Sequence, residues 1–229
     1  MTAPVDNSSL YRSPHGYEEV VAHYDRALQG MGVPYETRYA ETSFGPTHAI
    51  VCGTEQSRPL VLWHGLNANA ATWASWFPAL VPTYRIYAID TIGGLGKSAP
   101  SRPSRKGLAY GRWAVEALDG FGLSQANMIG TSNGGWLILK LAGVAPDRIG
   151  SAVLMSSAGL LPLSMGLVFQ MLPRVLFKPP AEAARGLLDL LSPPDLPPDP
   201  FFLEFFALIL DSGFRPEPNA PRVSDEEIR

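Results

Sequence analysis

Gly130-Thr131-Ser132-Asn133-Gly134 decides the fold of this chain, read with Asn127-Met128-Ile129 before it and Gly135-Trp136-Leu137-Ile138-Leu139-Lys140-Leu141-Ala142 after it. The preceding residues read as a short buried strand, and the following ones as a helix that ends before Pro146. Ser132 therefore lies at a strand-to-helix turn. Such a turn strains the backbone and brings the residues two before and two after the serine into close contact, which favours glycine at 130 and 134. It also aims the free N–H groups of a helix start at whatever the serine attacks. The Gly-x-Ser-x-Gly pattern is loose in a chain with 22 glycines, so the strand-turn-helix context carries the reading.

Outward from this elbow, residues 35 to 158 alternate short β-rich runs with helical patterns, which implies parallel strands joined by right-handed crossovers. Strands are predicted near 35–41, 47–52, 59–63, 84–89, 126–131 and 149–156. Helices are predicted near 69–80 and 107–121 and after the elbow, with an amphipathic helix over 17–31. Residues 160–220 are rich in proline, leucine and phenylalanine, with helical pieces near 165–177, 181–191 and 200–211. The expected fold is α/β: an open, mainly parallel sheet with flanking helices and a helical lid. The expected division is an N-terminal helical extension over 1–34, an α/β core over 35–159, a helical lid over 160–222 and a helix start over 223–229.

Composition narrows the function. With 229 residues and 46% hydrophobic content, the chain can bury a sizeable core as one domain with an insertion. A net charge of -3, with the basic residues scattered, argues against a nucleic-acid partner. A single cysteine, Cys52, allows no internal disulfide, and Met1 to Leu10 is polar, so a cytoplasmic protein is expected. Residues 149–173 carry no charge and are long enough to span a bilayer. Ser156-Ser157-Ala158-Gly159 and Pro162 break that run, and Phe201 to Phe206 is amphipathic, so apolar lid faces are the preferred reading over a membrane span. Trp73, Trp76 and Trp136 are read as core. His15 and His23 lack matching cysteine or carboxylate spacing, so neither metal nor cofactor is expected.

Three ordered landmarks resemble the α/β-hydrolase superfamily from about Tyr35 onward. Pro59-Leu-Val-Leu-Trp-His64-Gly65-Leu66 looks like its third strand and the His-Gly pair that opens the oxyanion loop. Asp90-Thr-Ile-Gly93-Gly94-Leu95-Gly96-Lys97-Ser98 is similar to its Asp-x-x-Gly-x-Gly-x-Ser loop, with one residue inserted. The elbow follows. A serine there resembles esterases and carbon–carbon bond hydrolases; epoxide hydrolases and haloalkane dehalogenases carry aspartate instead.

A tetrahedral intermediate needs two N–H donors. Asn133 can supply one because it opens the helix, and the resemblance places the other on the backbone of Leu66. His64, Gly65, Gly130 and Gly134 are read as supports of the site, with the His64 ring tying down the oxyanion loop. Gly94 to Ala99 also fits nucleotide-binding patterns loosely, but Pro100 and Pro103 oppose the helix those motifs must open.

No histidine follows Ser132; all four, at 15, 23, 48 and 64, precede it. A serine hydroxyl needs a neighbouring base to become a strong nucleophile. Ser224-Asp225-Glu226-Glu227 fits a capping box at the start of a helix, and the chain stops at Arg229. The resemblance implies that an acid-bearing strand and a base-bearing loop follow such a helix, so the expectation is a hydrolase lacking its last two strands. It would act on a small-molecule ester or acyl substrate through an acyl-enzyme on Ser132, weakly or not at all alone. The sixth strand would then be a bare apolar edge open to self-association or a complementing chain. Two other readings stay open: one half of a complemented hydrolase, and a non-catalytic binding module on a hydrolase scaffold.

Overall fold

The structure, a computed structural model, describes residues 5–161, 164–193, 195–217 and 221–228. The polar start at Met1, the Pro162 break and the terminal Arg229 lie outside the described residues. Six strands form one open sheet: β1 (Tyr35–Ala40), β2 (Thr47–Cys52), β3 (Arg58–Trp63), β4 (Tyr84–Ile89), β5 (Ala126–Thr131) and β6 (Ile149–Met155), in the order β1-β2-β4-β3-β5-β6. β3 runs parallel to β4 and β5, and β5 parallel to β6. The sheet is thus mainly parallel, as expected, with β2 antiparallel to both β1 and β4. For β1 and β2 the reason is reach: residues 41–46 alone join them, whereas a parallel pair needs a crossover of about a dozen residues or more.

Alternation along the strands splits the core into two layers. Val61 and Trp63 of β3 face α3 (Ala109–Gly120) and α4 (Asn133–Ala142), packing with Trp113, Trp136 and Leu137. Leu60 and Leu62 face the other way, toward α1 (Pro14–Gln29), a 3-10 helix over Ala70–Trp76 and α2 (Phe77–Leu80), with Tyr24, Leu28 and Phe77. Helix α1 begins three residues earlier than its apolar pattern, because Pro14 opens it and the Ser13 side chain accepts from the Gly16 amide. The segment predicted as one helix over 69–80 is tightened at its start, where the Thr72 amide and hydroxyl both donate to the Asn69 carbonyl. Trp76 corrects the core expectation: it is 41% exposed, whereas Trp73 and Trp136 are buried.

Beyond β6 come α5 (Met165–Val175), α6 (Pro180–Leu191) and α7 (Pro200–Asp211). α7 returns to α1, where the His23 ring stacks on Phe205 at 5.5 Å and Arg26 meets Glu204 at 2.8 Å. α5 buries none of its residues; Met165, Phe169 and Leu172 are exposed. Among the described residues, no helix is long and apolar enough to cross a membrane. The short α8 (Asp225–Ile228) docks on α4, where fully buried Lys140 donates to Glu227 at 2.6 Å. Glu227 also accepts from the Ser224 amide, the glutamate half of the capping box.

One buried carboxylate ties these parts together. Asp90, fully buried at the end of β4, accepts from the Ala70 amide at 2.7 Å, the Lys97 amide at 2.9 Å and the Tyr24 hydroxyl at 3.0 Å. His48 Nδ1 of β2 lies 2.8 Å away. Burial alone would raise this carboxyl; the hydrogen bond and charge of His48, with the Lys97 amide, outweigh it and hold the group at about 2 against an ordinary 3.8. The folded value lies below the unfolded one, so the stabilisation is complete above about pH 4 and is lost as pH falls toward 2. An acid titration of stability by tryptophan fluorescence is expected to show a loss of about 2 kcal/mol over that window. Asp90→Asn should already be destabilised at neutral pH and lack that component; an unchanged acid limb would contradict the assignment.

Candidate active site

Ser132 sits between β5 and α4 with φ 51° and ψ -109°, a conformation rare for a residue with a side chain. Surrounding hydrogen bonds impose it. The Ser132 amide donates to the Met155 carbonyl at the end of β6 (2.9 Å), and the Ser132 carbonyl accepts from the amides of Trp136 (3.2 Å) and Ala158 (3.0 Å). The flanking glycines answer to contact. A Cβ on Gly130 would come within 2.5 Å of the Gly134 carbonyl, and one on Gly134 would run into the Trp63 carbonyl. Both are therefore required where the elbow crosses its own helix and the end of β3.

The loop after β3 lies against the elbow. A Cβ on Gly65 would lie 3.9 Å from Ser132 Cβ, an ordinary contact, so position 65 borders the serine without demanding glycine. Leu66 and Asn133 line one cleft, together with His64, Thr91, Phe214 and Glu217. Asn133 opens α4, and the Ser132 side chain makes no capping bond, so the first turn of α4 keeps N–H groups for a ligand.

His64 is buried and committed. Its Nε2 accepts from the Thr91 amide at 3.0 Å, which leaves the proton on Nδ1 to donate to the Gly65 carbonyl at 2.8 Å. Burial pushes this imidazole below its ordinary value, so it is a neutral strut between the loops after β3 and β4. The other histidines are also engaged away from Ser132: His48 with Asp90, His23 among Phe201 and Phe205, and His15 beside Glu19 at 3.5 Å. Among the described residues, no group of three or more His, Cys, Asp or Glu side chains could hold a metal ion.

Sequence reasoning missed a charged cluster behind the elbow. Arg105, in the loop between β4 and α3, donates to the Asn133 side-chain oxygen and to Glu217 Oε2 at 2.5 Å, with its guanidinium 4.4 Å from the Trp136 ring centre. The Tyr110 hydroxyl donates to the same carboxylate at 2.8 Å. Positions 105, 133 and 217 share no spacing rule; the one available signal is a polar Asn133 opening a helix that is apolar apart from Lys140.

Residues 58–206 match the family described as alpha/beta hydrolase fold. Two curated relatives from Bacillus subtilis (strain 168) are each 34% identical over 135 residues, 59% of this chain: an uncharacterized carboxylesterase nap and carboxylesterase YbfK. The chain spans about half the length of these relatives, 45% and 46%. Among solved structures, a putative hydrolase from Bacillus subtilis superposes with a TM-score of 0.78 at 27% identity, covering 93% of this chain and 76% of that one. Naproxen esterase from the same organism superposes with a TM-score of 0.75 at 25% identity, covering 91% and 74%.

The backbone at Ser132 yields a stability test. A non-glycine residue held there costs about 1–3 kcal/mol, while glycine loses about 0.5–1 kcal/mol in unfolded-state entropy. Ser132→Gly is therefore expected to be more stable than Ser132→Ala by about 1 kcal/mol, read from denaturant midpoints. Equal midpoints would mean that the elbow is unstrained.

Proposed function

Since this chain belongs to the alpha/beta hydrolase fold family, we propose that it is a serine hydrolase acting on carboxylic esters, with Ser132 as the attacking group. The observation that carries this reading is the strained Ser132 backbone, held at a helix start and bordered by the Gly65 loop. Relatives named as carboxylesterases support the ester class. In the proposed reaction Ser132 Oγ bonds to the acyl carbon and gives its proton to a base. The carbonyl oxygen becomes an oxyanion received by the backbone N–H groups of Asn133 and Leu66. The C–O bond then breaks, the departing alcohol takes the proton, and water later releases the acid from the acyl-serine. The helices after β6 serve as the lid, with apolar faces for the acyl group.

Proton transfer is the weak link. All four histidines are occupied elsewhere, and removing the base of a measured serine protease cost about 10⁶-fold in turnover. Turnover by this chain alone is therefore expected to be very low. A second reading rests on the edge of β6, where Val153 is 54% and Leu154 37% exposed: a second polypeptide pairs there and supplies the acid and base.

The test is fluorophosphonate labelling and hydrolysis of a short p-nitrophenyl ester, each compared with Ser132→Ala. Slow labelling abolished by Ser132→Ala, with negligible turnover, is expected. Labelling that survives Ser132→Ala would remove the nucleophile assignment. Absence of any Ser132-dependent reaction would leave a binding module on a hydrolase scaffold.

A further inference from the structure

We propose that Arg105 is a positioning residue for the oxyanion site, clamping Asn133 from behind while Glu217 in turn clamps Arg105. The inference rests on the reading of Ser132 as nucleophile and Asn133 N–H as oxyanion donor. Asn133 is 2% exposed, and its side-chain oxygen accepts from Arg105 Nη2. Side chain and backbone N–H of one residue share a Cα, so fixing the first restrains rotation of the second. This matters at the first residue of a helix, whose amide has no intrahelical acceptor to hold it in line.

The clamp is built and desolvated. The Arg105 side chain and the Glu217 carboxylate are each 9% exposed and meet at 2.5 Å. Glu217 also accepts from Tyr110 at 2.8 and 3.0 Å, and Arg102 Nε stands 3.7 Å from it. Burial first, and the Glu217 charge next, push the Tyr110 hydroxyl up, so it stays protonated and donates. The guanidinium lies over Trp136 of the same helix that Asn133 opens. Only a planar fork can reach Asn133 and Glu217 together while stacked on an indole; a lysine ammonium reproduces the charge without the geometry. Glu217 follows α7, so the segment after the helices reaches the nucleophile through two side chains.

A bland alternative is that the cluster only fastens residues 212–217 to the core. Three variants separate the two: Arg105→Lys, Arg105→Ala, and the double variant Arg105→Ala with Glu217→Gln, which avoids leaving a buried carboxylate unpaired. The first readout is fluorophosphonate inactivation of folded protein, resolved into the maximal rate and the half-saturating concentration. All three variants should lower the maximal rate by about 100-fold, the scale of a roughly 1 Å misplacement at the reacting centre, with half-saturation little changed and Arg105→Lys melting near the parent. The second readout is the ¹⁵N order parameter of the Asn133 amide, measured in the parent and in a Ser132→Ala background. It should fall from about 0.85 to below about 0.6 while that of Leu137 holds. Parent values of both in the folded variants would overturn the proposal. If the parent chain is not labelled at all, the nucleophile reading fails, and the Asn133 order parameter alone decides whether Arg105 positions that amide.

Discussion

The carboxylate of Asp90 is the constraint on which the other parts of this molecule depend. A charge with no exposure must be fully hydrogen-bonded to be tolerated, and here the partners come from four places: α1, β2, the start of the 3-10 helix at Ala70 and the loop after β4. The demand of one buried ion for donors thus organises loops that the hydrophobic layers leave free. Ser98 continues the arrangement, donating to the Asp90 carbonyl at 2.6 Å and accepting from the His48 amide at 2.8 Å. His64, one strand over, carries the same order into the cleft by bridging Thr91 and Gly65.

On this frame the elbow is a problem of close approach. α4 must leave the end of β5 at once and lie down over β3, and side chains at 130 or 134 would occupy the space of the Gly134 and Trp63 backbones. The consequence is a serine whose hydroxyl is carried on a backbone conformation that an unconstrained chain avoids. Steric exclusion, sheet hydrogen bonds and helix initiation all act within five residues, which is why the local pattern is so recognisable.

That recognisability sets what the sequence could disclose. Strand ends were legible to within a residue at β3 and β6, because each short β-rich run stands between polar residues, Arg58 and His64 for β3 and Arg148 and Ser156 for β6. The direction of β2 against β4 was not, since that pairing joins residues 34 to 40 positions apart and leaves no local trace. Trp76 was misread because a 3-10 turn rotates successive residues differently from an α-helix, carrying the ring outward beside buried Trp73. Within the site, Gly130, Gly134 and the His64-Gly65 pair were visible because each answers a local backbone need. Arg105 and Glu217 were invisible because their need is mutual and arises only once α3, α4 and the segment after α7 have met.

The hydrogen bond from the Ser132 amide to the Met155 carbonyl has a mechanical consequence. β6 is the outermost strand of the sheet, and its last carbonyl is one of the anchors that hold the serine backbone in its unfavourable rotation. The backbone of Ser132 is therefore tied to β6 as well as to its own strand and helix. Sliding or twisting of that strand is felt at the serine on both sides, at its amide through Met155 and at its carbonyl through Ala158, so the bearing of the hydroxyl depends on where β6 lies.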